Sequence, residues 1–167
     1  SLATGALLKS FATSAGAGAP VVADFDGDGR PEIGIQHYIT CSFVVYEVAD
    51  DFTLSVKWTR ALQQCSGVFT ATAFDFNGDG VSEVVYGDQQ EVRIYDGPTG
   101  NILFEACNTT ATLIENPVVA DVDNDGQADI VAVANAYASG SAGTQCNDGV
   151  ANGQSGIRIY GSADDTW

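Results

Sequence analysis

Short apolar runs separated by turn-forming residues recur along the chain. The runs are rich in Val and Ile, are bounded by Pro, Gly and Asp, and are far shorter than a helix, so they predict β-strands. In the middle of the chain four runs follow one another, and they predict strands at 70–76, 82–87, 91–95 and 101–106. The third and fourth are joined by residues 96–100, whose Gly and Pro content is typical of a turn. The pattern therefore predicts an all-β protein.

The same pattern is repeated on both sides of this middle unit. Residues 43–46 and 55–58 predict later strands of a preceding unit, and residues 156–160 predict a strand of a following unit. In each unit an acidic loop joins the first two predicted strands. The three acidic loops are residues 24–32 (loop 1), 75–83 (loop 2) and 121–129 (loop 3).

The three loops share one arrangement of side chains. Oxygen-bearing residues stand at loop positions 1, 3, 5 and 9, and Gly stands at position 6. Calcium takes six to eight oxygen ligands, and alternate residues of a tightly curled loop can turn their oxygens to one centre, with Gly at the bend. The sequence therefore predicts three calcium sites.

The helix-loop-helix calcium hand shares the first six loop positions but not the rest. A hand needs a bidentate Glu at position 12 and a helix on each side. Here position 12 is Ile35, Tyr86 or Ala132, none of which can ligate through its side chain, and the flanks read as strands. The hand is therefore excluded.

The spacing of the loops predicts the architecture. The first residues of loops 1 and 2 are 51 residues apart, and those of loops 2 and 3 are 46 apart. Periods of about 40 to 50 residues with several strands per unit are typical of β-propeller blades. We therefore predict a β-propeller-type array of three four-stranded antiparallel blades.

The repeated loop resembles that of the FG-GAP repeats of integrin alpha-subunit propellers and of the related VCBS repeats of secreted bacterial proteins. The Phe-Gly and Gly-Ala-Pro signatures of the integrin repeat are not cleanly present, since Gly18-Ala19-Pro20 precedes its loop, so the bacterial branch is the closer likeness. The resemblance implies calcium bound between the first two strands of each blade. By position it implies side-chain ligands at Asp24, Asp26, Asp28 and Glu32, at Asp75, Asn77, Asp79 and Glu83, and at Asp121, Asp123, Asp125 and Asp129, with backbone carbonyl ligands at Arg30, Val81 and Gln127.

The blade boundaries follow from the same register. We predict one domain or segment, with an outer blade strand at 1–13, the first blade at 14–66, the second at 67–111, and the third at 112–167 with a Gly- and Ser-rich insertion at 136–155. Residues 3–11 echo residues 98–106, the turn and last strand of the middle unit. The N-terminal strand would either close the third blade or belong to a preceding blade of a larger propeller. We favour a segment of a larger propeller, or one that completes its ring with another copy.

Charge is concentrated in the loops. The formal net charge is −16, and the loops hold four, three and four of the 22 acidic residues. Such acidity excludes nucleic acid as a partner. The sequence contains no run of 18 apolar residues, so membrane insertion is not predicted. Carboxylates crowded in one loop repel one another until a cation binds, so calcium is expected to stabilise the fold, in an extracellular setting where it is abundant. Because loop 2 carries the neutral Asn77, charge alone predicts that loop 2 is the weakest site.

The four cysteines do not form a zinc pattern, because no Cys-x-x-Cys pair occurs and His37 is the only histidine. An even count in a secreted chain predicts two disulfides, which allow three pairings. We prefer Cys41 with Cys65 and Cys107 with Cys146, the second bond pinning the insertion.

Other candidate chemistry is sparse. Asn108-Thr-Thr110 is an N-glycosylation acceptor pattern that needs a surface position. His37 has no nucleophile motif around it, so no catalytic residue is predicted. Tyr46, Tyr95 and Tyr160 recur at one blade position, which is typical of packing between blades.

Three functions fit this sequence. A non-catalytic, calcium-stabilised extracellular scaffold for adhesion or assembly fits best. A lectin-like propeller that binds a carbohydrate or a protein is the first alternative, with Tyr137 as the sole aromatic of the insertion. An accessory part of a secreted polysaccharide-degrading enzyme is the second. The expected partners are the remainder of a longer propeller chain or another copy, with a glycan or protein ligand.

Overall fold

The computed structural model describes residues 1–12, 17–62, 70–88, 90–108, 110, 116–134 and 156–161. These residues form β-strands and turns. The strands are β1 (Val21–Ala23), β2 (Glu32–His37), β3 (Ser42–Val48), β4 (Leu54–Ala61), β5 (Thr72–Phe74), β6 (Glu83–Gly87), β7 (Glu91–Tyr95), β8 (Ile102–Cys107), β9 (Val118–Ala120), β10 (Asp129–Ala134) and β11 (Gly156–Tyr160).

The strands form three antiparallel sheets in chain order. The first sheet has the order β1-β2-β3-β4 and the second the order β5-β6-β7-β8, while the described strands of the third are ordered β9-β10-β11. The first strand of the second sheet, β5, contacts the first strands of the two neighbouring sheets, β1 and β9. The all-β fold and its antiparallel, blade-like sheets are therefore as predicted. No helix that could span a membrane occurs in the part of the chain that the structure describes.

The first strand of each sheet is short. A strand was predicted over 70–76, whereas β5 covers only Thr72–Phe74. The backbone N–H of Thr70 donates to the side chain of Asn116, and that of Phe76 donates to the carboxylate of Glu83. Side chains thus satisfy the backbone groups on both sides of β5, where strand pairing would otherwise be needed.

Apolar side chains fill the spaces between neighbouring sheets. The first core, between sheets one and two, is aromatic: Phe43 packs on Trp58 and on Tyr86, and Trp58 packs on Tyr95. The Trp58 indole N–H donates to the carbonyl of Gly97 at 2.7 Å, so a polar group is satisfied where the two sheets meet. The second core is aliphatic at its centre, with Val85, Val92, Ile94 and Ile130 fully buried.

The recurring tyrosines take different surroundings. Tyr95 is buried in the first core, and Tyr160 packs on Phe104 of the neighbouring sheet while its hydroxyl donates to the carbonyl of Cys107. These two tyrosines join blades, as predicted. The hydroxyl of Tyr46 instead lies 3.1 Å from Nε2 of His37 within its own sheet.

The described residues 1–12 of the segment predicted as an outer blade strand at 1–13 are not paired as a strand here, so its place in a blade stays a prediction. They are exposed and lack strand pairing, and the backbone hydrogen bonds among them run locally from the N–H groups of Thr4 and Gly5 to the carbonyl of Ser1. A strand is stable only against a partner edge, and this segment pairs with no strand in the described structure. The insertion at 136–155, with Tyr137, lies outside the described residues.

Candidate metal site

The position 1 carboxylate organises each acidic loop. In loop 1 the two oxygens of Asp24 accept the backbone N–H groups of Gly27 and Gly29 at 2.7 and 2.8 Å. Asp75 of loop 2 accepts those of Gly78 and Gly80 at 2.7 and 2.8 Å. Loop 3 repeats the arrangement, as Asp121 accepts the N–H groups of Asn124 and Gly126 at 2.6 and 3.0 Å. The loops curl around this residue in the same way.

These donors change the acidity of the first residue of loop 1. Desolvation acts to raise the pKa of Asp24, but the N–H groups of Gly29 and Gly27 outweigh it and hold that pKa below its usual value. The side chain is therefore ionised in the form that a cation binds.

Positions 5 and 9 repeat with equal regularity. The position 5 carboxylate accepts the N–H of position 7 at 2.8 Å in all three loops, through Asp28, Asp79 and Asp125. The position 9 carboxylate reaches back to the N–H of position 2, which fastens the end of the loop to its beginning. Glu32 accepts from Phe25 at 2.7 Å, Glu83 from Phe76 at 2.9 Å, and Asp129 from Val122 at 2.9 Å.

Two positions of each loop have left-handed backbone. Position 6 is Gly in all three loops, with φ between 85° and 92°. Position 4 was not singled out from the sequence, yet it has φ values of 78° at Gly27, 73° at Gly78 and 65° at Asn124. Because Gly and Asn adopt this conformation most readily, the recurrence of Gly, Gly and Asn at position 4 was the sequence signal for a second bend.

Two loops bring three carboxylates together. Ligand oxygens of Asp24, Asp26 and Glu32 lie within 4.8 Å of one another, and so do those of Asp121, Asp123 and Asp129. Loop 2 carries an amide at the corresponding position, where the Asn77 nitrogen donates to the Asp79 carboxylate at 3.0 Å. The predicted side-chain ligands of loops 1 and 3 thus converge at positions 1, 3 and 9.

The position 9 carboxylates are buried, although ionised carboxylates usually avoid burial. Glu32, Glu83 and Asp129 are 0%, 3% and 6% exposed. Desolvation raises the pKa of Glu32 and of Glu83, and backbone hydrogen bonds offset it only in part. Within the described residues the buried Oε1 of Glu32 has no hydrogen-bond partner. A buried carboxylate that has an orphaned oxygen and lies beside two other carboxylates fits a hard cation, because a bound cation would compensate the cost of burial.

Loop 1 also meets a cation from its own chain, which the sequence did not reveal. The Lys57 ammonium, on β4, contacts Oδ2 of Asp26 and lies 3.2 Å from Oε2 of Glu47. Desolvation opposes its charge, but Asp26 and Glu47 outweigh this and raise the pKa of Lys57. Lys57 is 31 residues from Asp26, so only the folded sheet brings them together.

Loops 1 and 2 touch directly. The N–H of Ser82, at position 8 of loop 2, donates to the carbonyl of Asp24 at 2.9 Å. Gly97 lies against both loops, because a Cβ built there would overlap the carbonyl oxygen of Ser82 and lie 2.5 Å from that of Phe25. Two of the three candidate sites are therefore in direct contact.

The remaining candidate residues have structural surroundings. Asn108 is only 3% exposed, and its side-chain amide donates to the carbonyl of Val133 at 3.2 Å, so the expected surface position for glycosylation is wrong for this fold. The expectation was wrong because β8, the outer strand of the second sheet, ends against the third sheet. His37 is buried beside Tyr46. Neither Cys41 nor Cys107 is a free thiol in the described structure, and because Cys65 and Cys146 lie outside it, the pairing stays a prediction.

A family model described as FG-GAP-like repeat matches residues 52–132. This range begins just before β4 and includes loops 2 and 3 with the whole second sheet. The resemblance drawn from the acidic loops is confirmed over the matched residues. No curated protein sequence matches the chain significantly.

Two solved structures are similar to this one. The V. cholerae biofilm matrix protein Bap1 has 29% sequence identity and a TM-score of 0.59, and the match covers 79% of this chain and 20% of that one. The C-terminal domain of Pseudomonas aeruginosa PilY1 has 20% identity and a TM-score of 0.49, with coverage of 69% and 27%. The chain thus corresponds to about a fifth of the Bap1 chain.

Proposed function

We propose that this chain, with its FG-GAP-like repeats, is a calcium-stabilised extracellular β-propeller unit that serves as a non-catalytic scaffold for adhesion or assembly. The observation that carries the proposal is the buried acid at position 9 of each loop, above all Glu32 with its unpartnered oxygen. A buried carboxylate beside two others needs compensating positive charge, of which Lys57 supplies one unit to loop 1. The similarity to a biofilm matrix protein supports the extracellular and assembly parts of the proposal.

Each ligand position of a calcium site can be assigned to particular residues. The carboxylates at positions 1, 3, 5 and 9 would hold the ion, with Asn77 in the third position of loop 2 and the carbonyls of Arg30, Val81 and Gln127 as further oxygens. Calcium would supply the positive charge that these groups lack. The chain itself sets the loop through backbone N–H groups that fix the carboxylates in place before the ion arrives.

The consequence is structural stabilisation. Position 9 is the first residue of the second strand of each sheet, and its carboxylate ties that strand to the residue that follows position 1. An ion at this place holds two strands of one blade together. Ions that bind only the folded state add to stability in proportion to the logarithm of their concentration over Kd.

Calcium titration with thermal unfolding tests the proposal. At about 10 mM calcium and a Kd of about 10⁻⁴ M, each site adds about 2.7 kcal/mol, so Tm is expected to rise by 10 °C or more relative to protein in chelator. Solution mass, measured on the same samples, tests the expected partner, because completion of a ring by another copy would give a higher mass in calcium.

The matched control replaces the exposed position 5 carboxylates by amides, in the triple variant Asp28→Asn, Asp79→Asn and Asp125→Asn. An amide oxygen can still accept the N–H of position 7, so the loop backbone is kept while charge is removed. The variant should fold in chelator and lose most of the calcium response. A wild-type chain whose Tm is indifferent to calcium would contradict the proposal.

A further inference from the structure

The fourth strands of the first two sheets carry equivalent irregularities. In the first sheet the pairing changes from Val45 with Trp58 to Tyr46 with Val56, so Lys57 is the extra residue of a bulge. In the second sheet it changes from Ile94 with Phe104 to Tyr95 with Ile102, so Leu103 is the extra residue. Lys57 and Leu103 therefore occupy the same place in two blades.

Both side chains face the acidic loop of their own blade. Lys57 is 17% exposed and contacts the position 3 carboxylate, Asp26. Leu103 lines a small cavity of about 40 Å³ together with Asn77 and Glu83, which are positions 3 and 9 of loop 2. A bulge re-aims a side chain, and here it aims one residue of β4 or β8 at the metal loop.

The charges at these two places match. Loop 1 pairs an acid at position 3 with a lysine on the bulge, whereas loop 2 pairs a neutral amide with a leucine. Counted over the side-chain ligand positions 1, 3, 5 and 9 with Lys57 added, loop 1 and loop 2 carry the same charge of −3. Once Lys57 is included, charge no longer predicts a lower calcium affinity for loop 2 than for loop 1, as the loop sequences alone did.

We propose that Lys57 is a resident counter-ion of loop 1, which competes with calcium for Asp26 and sets the affinity of that site. The inference rests on the proposed function, since it concerns the same loops. At low calcium the ammonium offsets the repulsion among Asp24, Asp26 and Glu32 and keeps the loop folded. At high calcium it repels the ion and must release one oxygen of Asp26 to it.

Site-resolved calcium titration by ¹H–¹⁵N NMR tests this directly. The amides of Gly29, Gly80 and Gly126 each donate to the position 1 carboxylate of their own loop, so they report the three loops separately. In Lys57→Met, which keeps the unbranched apolar stem but lacks the terminal ammonium, the Kd at Gly29 should fall about tenfold because a positive charge beside the ion is removed. The Tm in chelator should fall at the same time.

Two variants serve as controls. Lys9→Met makes the same change in net charge at an exposed residue, and it should leave the Kd at Gly29 unchanged. Leu103→Lys introduces the ammonium at the equivalent place in the second blade, and it should raise the Kd at Gly80 several-fold while leaving that at Gly126 unchanged.

The outcomes separate this inference from the proposed function. If no glycine amide of the wild type responds to calcium, the proposed function fails. If the amides respond but Lys57→Met leaves the Kd at Gly29 unchanged, the counter-ion role is overturned while the calcium sites stand. A lower Tm both in chelator and in calcium, without a change in Kd, would show Lys57 to be merely structural.

Discussion

Loops 1 and 2 share their backbone and differ in what surrounds them. In both, the position 1 carboxylate holds the N–H groups of positions 4 and 6, and the buried acid at position 9 holds the N–H of position 2. Only loop 1 has an acid at position 3 with a lysine against it. Local hydrogen bonds therefore set the shape of an acidic loop, whereas a distant strand completes the charge balance of loop 1.

The two loops are also neighbours as well as copies. The Ser82 N–H to Asp24 carbonyl bond links position 8 of one to position 1 of the other, and Gly97 lies against both. A change at this junction should reach both sites, while a change at a single ligand should stay with its own loop.

The largest effect is expected at the buried acid of position 9. Glu32→Gln keeps an oxygen for the N–H of Phe25 but loses the charge, so calcium affinity at Gly29 should fall about 100-fold. In chelator the folding stability of the variant should be unchanged or higher, because the ionised carboxylate opposes folding when no ion is bound. Burial raises the pKa of Glu32, so ionised Glu32 disfavours the folded state at neutral pH, and the amide removes that cost.

Glu32→Ala is the contrast to the amide variant, because it leaves the buried Phe25 N–H without its acceptor and should lower stability with and without calcium. Urea unfolding with and without calcium makes the measurement. Equal destabilisation by Glu32→Gln in both conditions would assign Glu32 a purely structural role and remove the contrast between ion binding and loop shape.

The next effect concerns the junction of the two loops. Gly97→Ala places a methyl group against the carbonyls of Ser82 and Phe25, and overpacking of this kind costs about 1–3 kcal/mol. Calcium affinity should fall at Gly29 and Gly80 together, as measured by NMR titration.

Gly87→Ala is the matched control for the junction, since its nearest neighbour would be the Pro117 ring at 3.5 Å, an ordinary contact. It should change stability less than Gly97→Ala does. A loss of affinity at only one of the two loops would show that they bind independently despite their contact.

The smallest effect is expected from making loop 2 resemble loop 1 in its ligands alone. Asn77→Asp supplies the missing acid without a lysine nearby, so the Kd at Gly80 should fall about tenfold, below that at Gly29. In chelator the variant should be less stable, because the Asn77 to Asp79 hydrogen bond becomes a repulsion. An unchanged Kd would mean that position 3 does not ligate in loop 2.

Much of the site could be predicted because its contacts are local. The carboxylate spacing, the glycine at position 6 and the flanking strands all lie within about a dozen residues of one another, and loop geometry depends on such neighbours. The left-handed position 4 was also legible, from Gly27, Gly78 and Asn124, but it required comparison of the three loops.

The expectation that the structure contradicts depended on a contact between distant parts of the chain. Asn108 was expected at the surface, yet its amide donates to Val133 in the third sheet, a residue 25 positions away. The outer strand predicted at 1–13 from the likeness of residues 3–11 to residues 98–106 stays a prediction, because residues 1–12 meet no partner edge in the described structure. A sequence pattern gives the strand propensity of a segment and not the neighbour that it needs.

The repeated loop, its candidate ligands and the all-β, blade-like architecture follow from the amino-acid sequence, since each depends on residues close together in the chain. The tertiary structure decided which acids are buried, how loops 1 and 2 touch, and that Lys57 lies against Asp26 across 31 residues. The physical reason is that burial and charge balance are properties of the assembled sheets. The bulge in β4 determines that Lys57 contacts loop 1, and this contact cannot be predicted from the acidic motif.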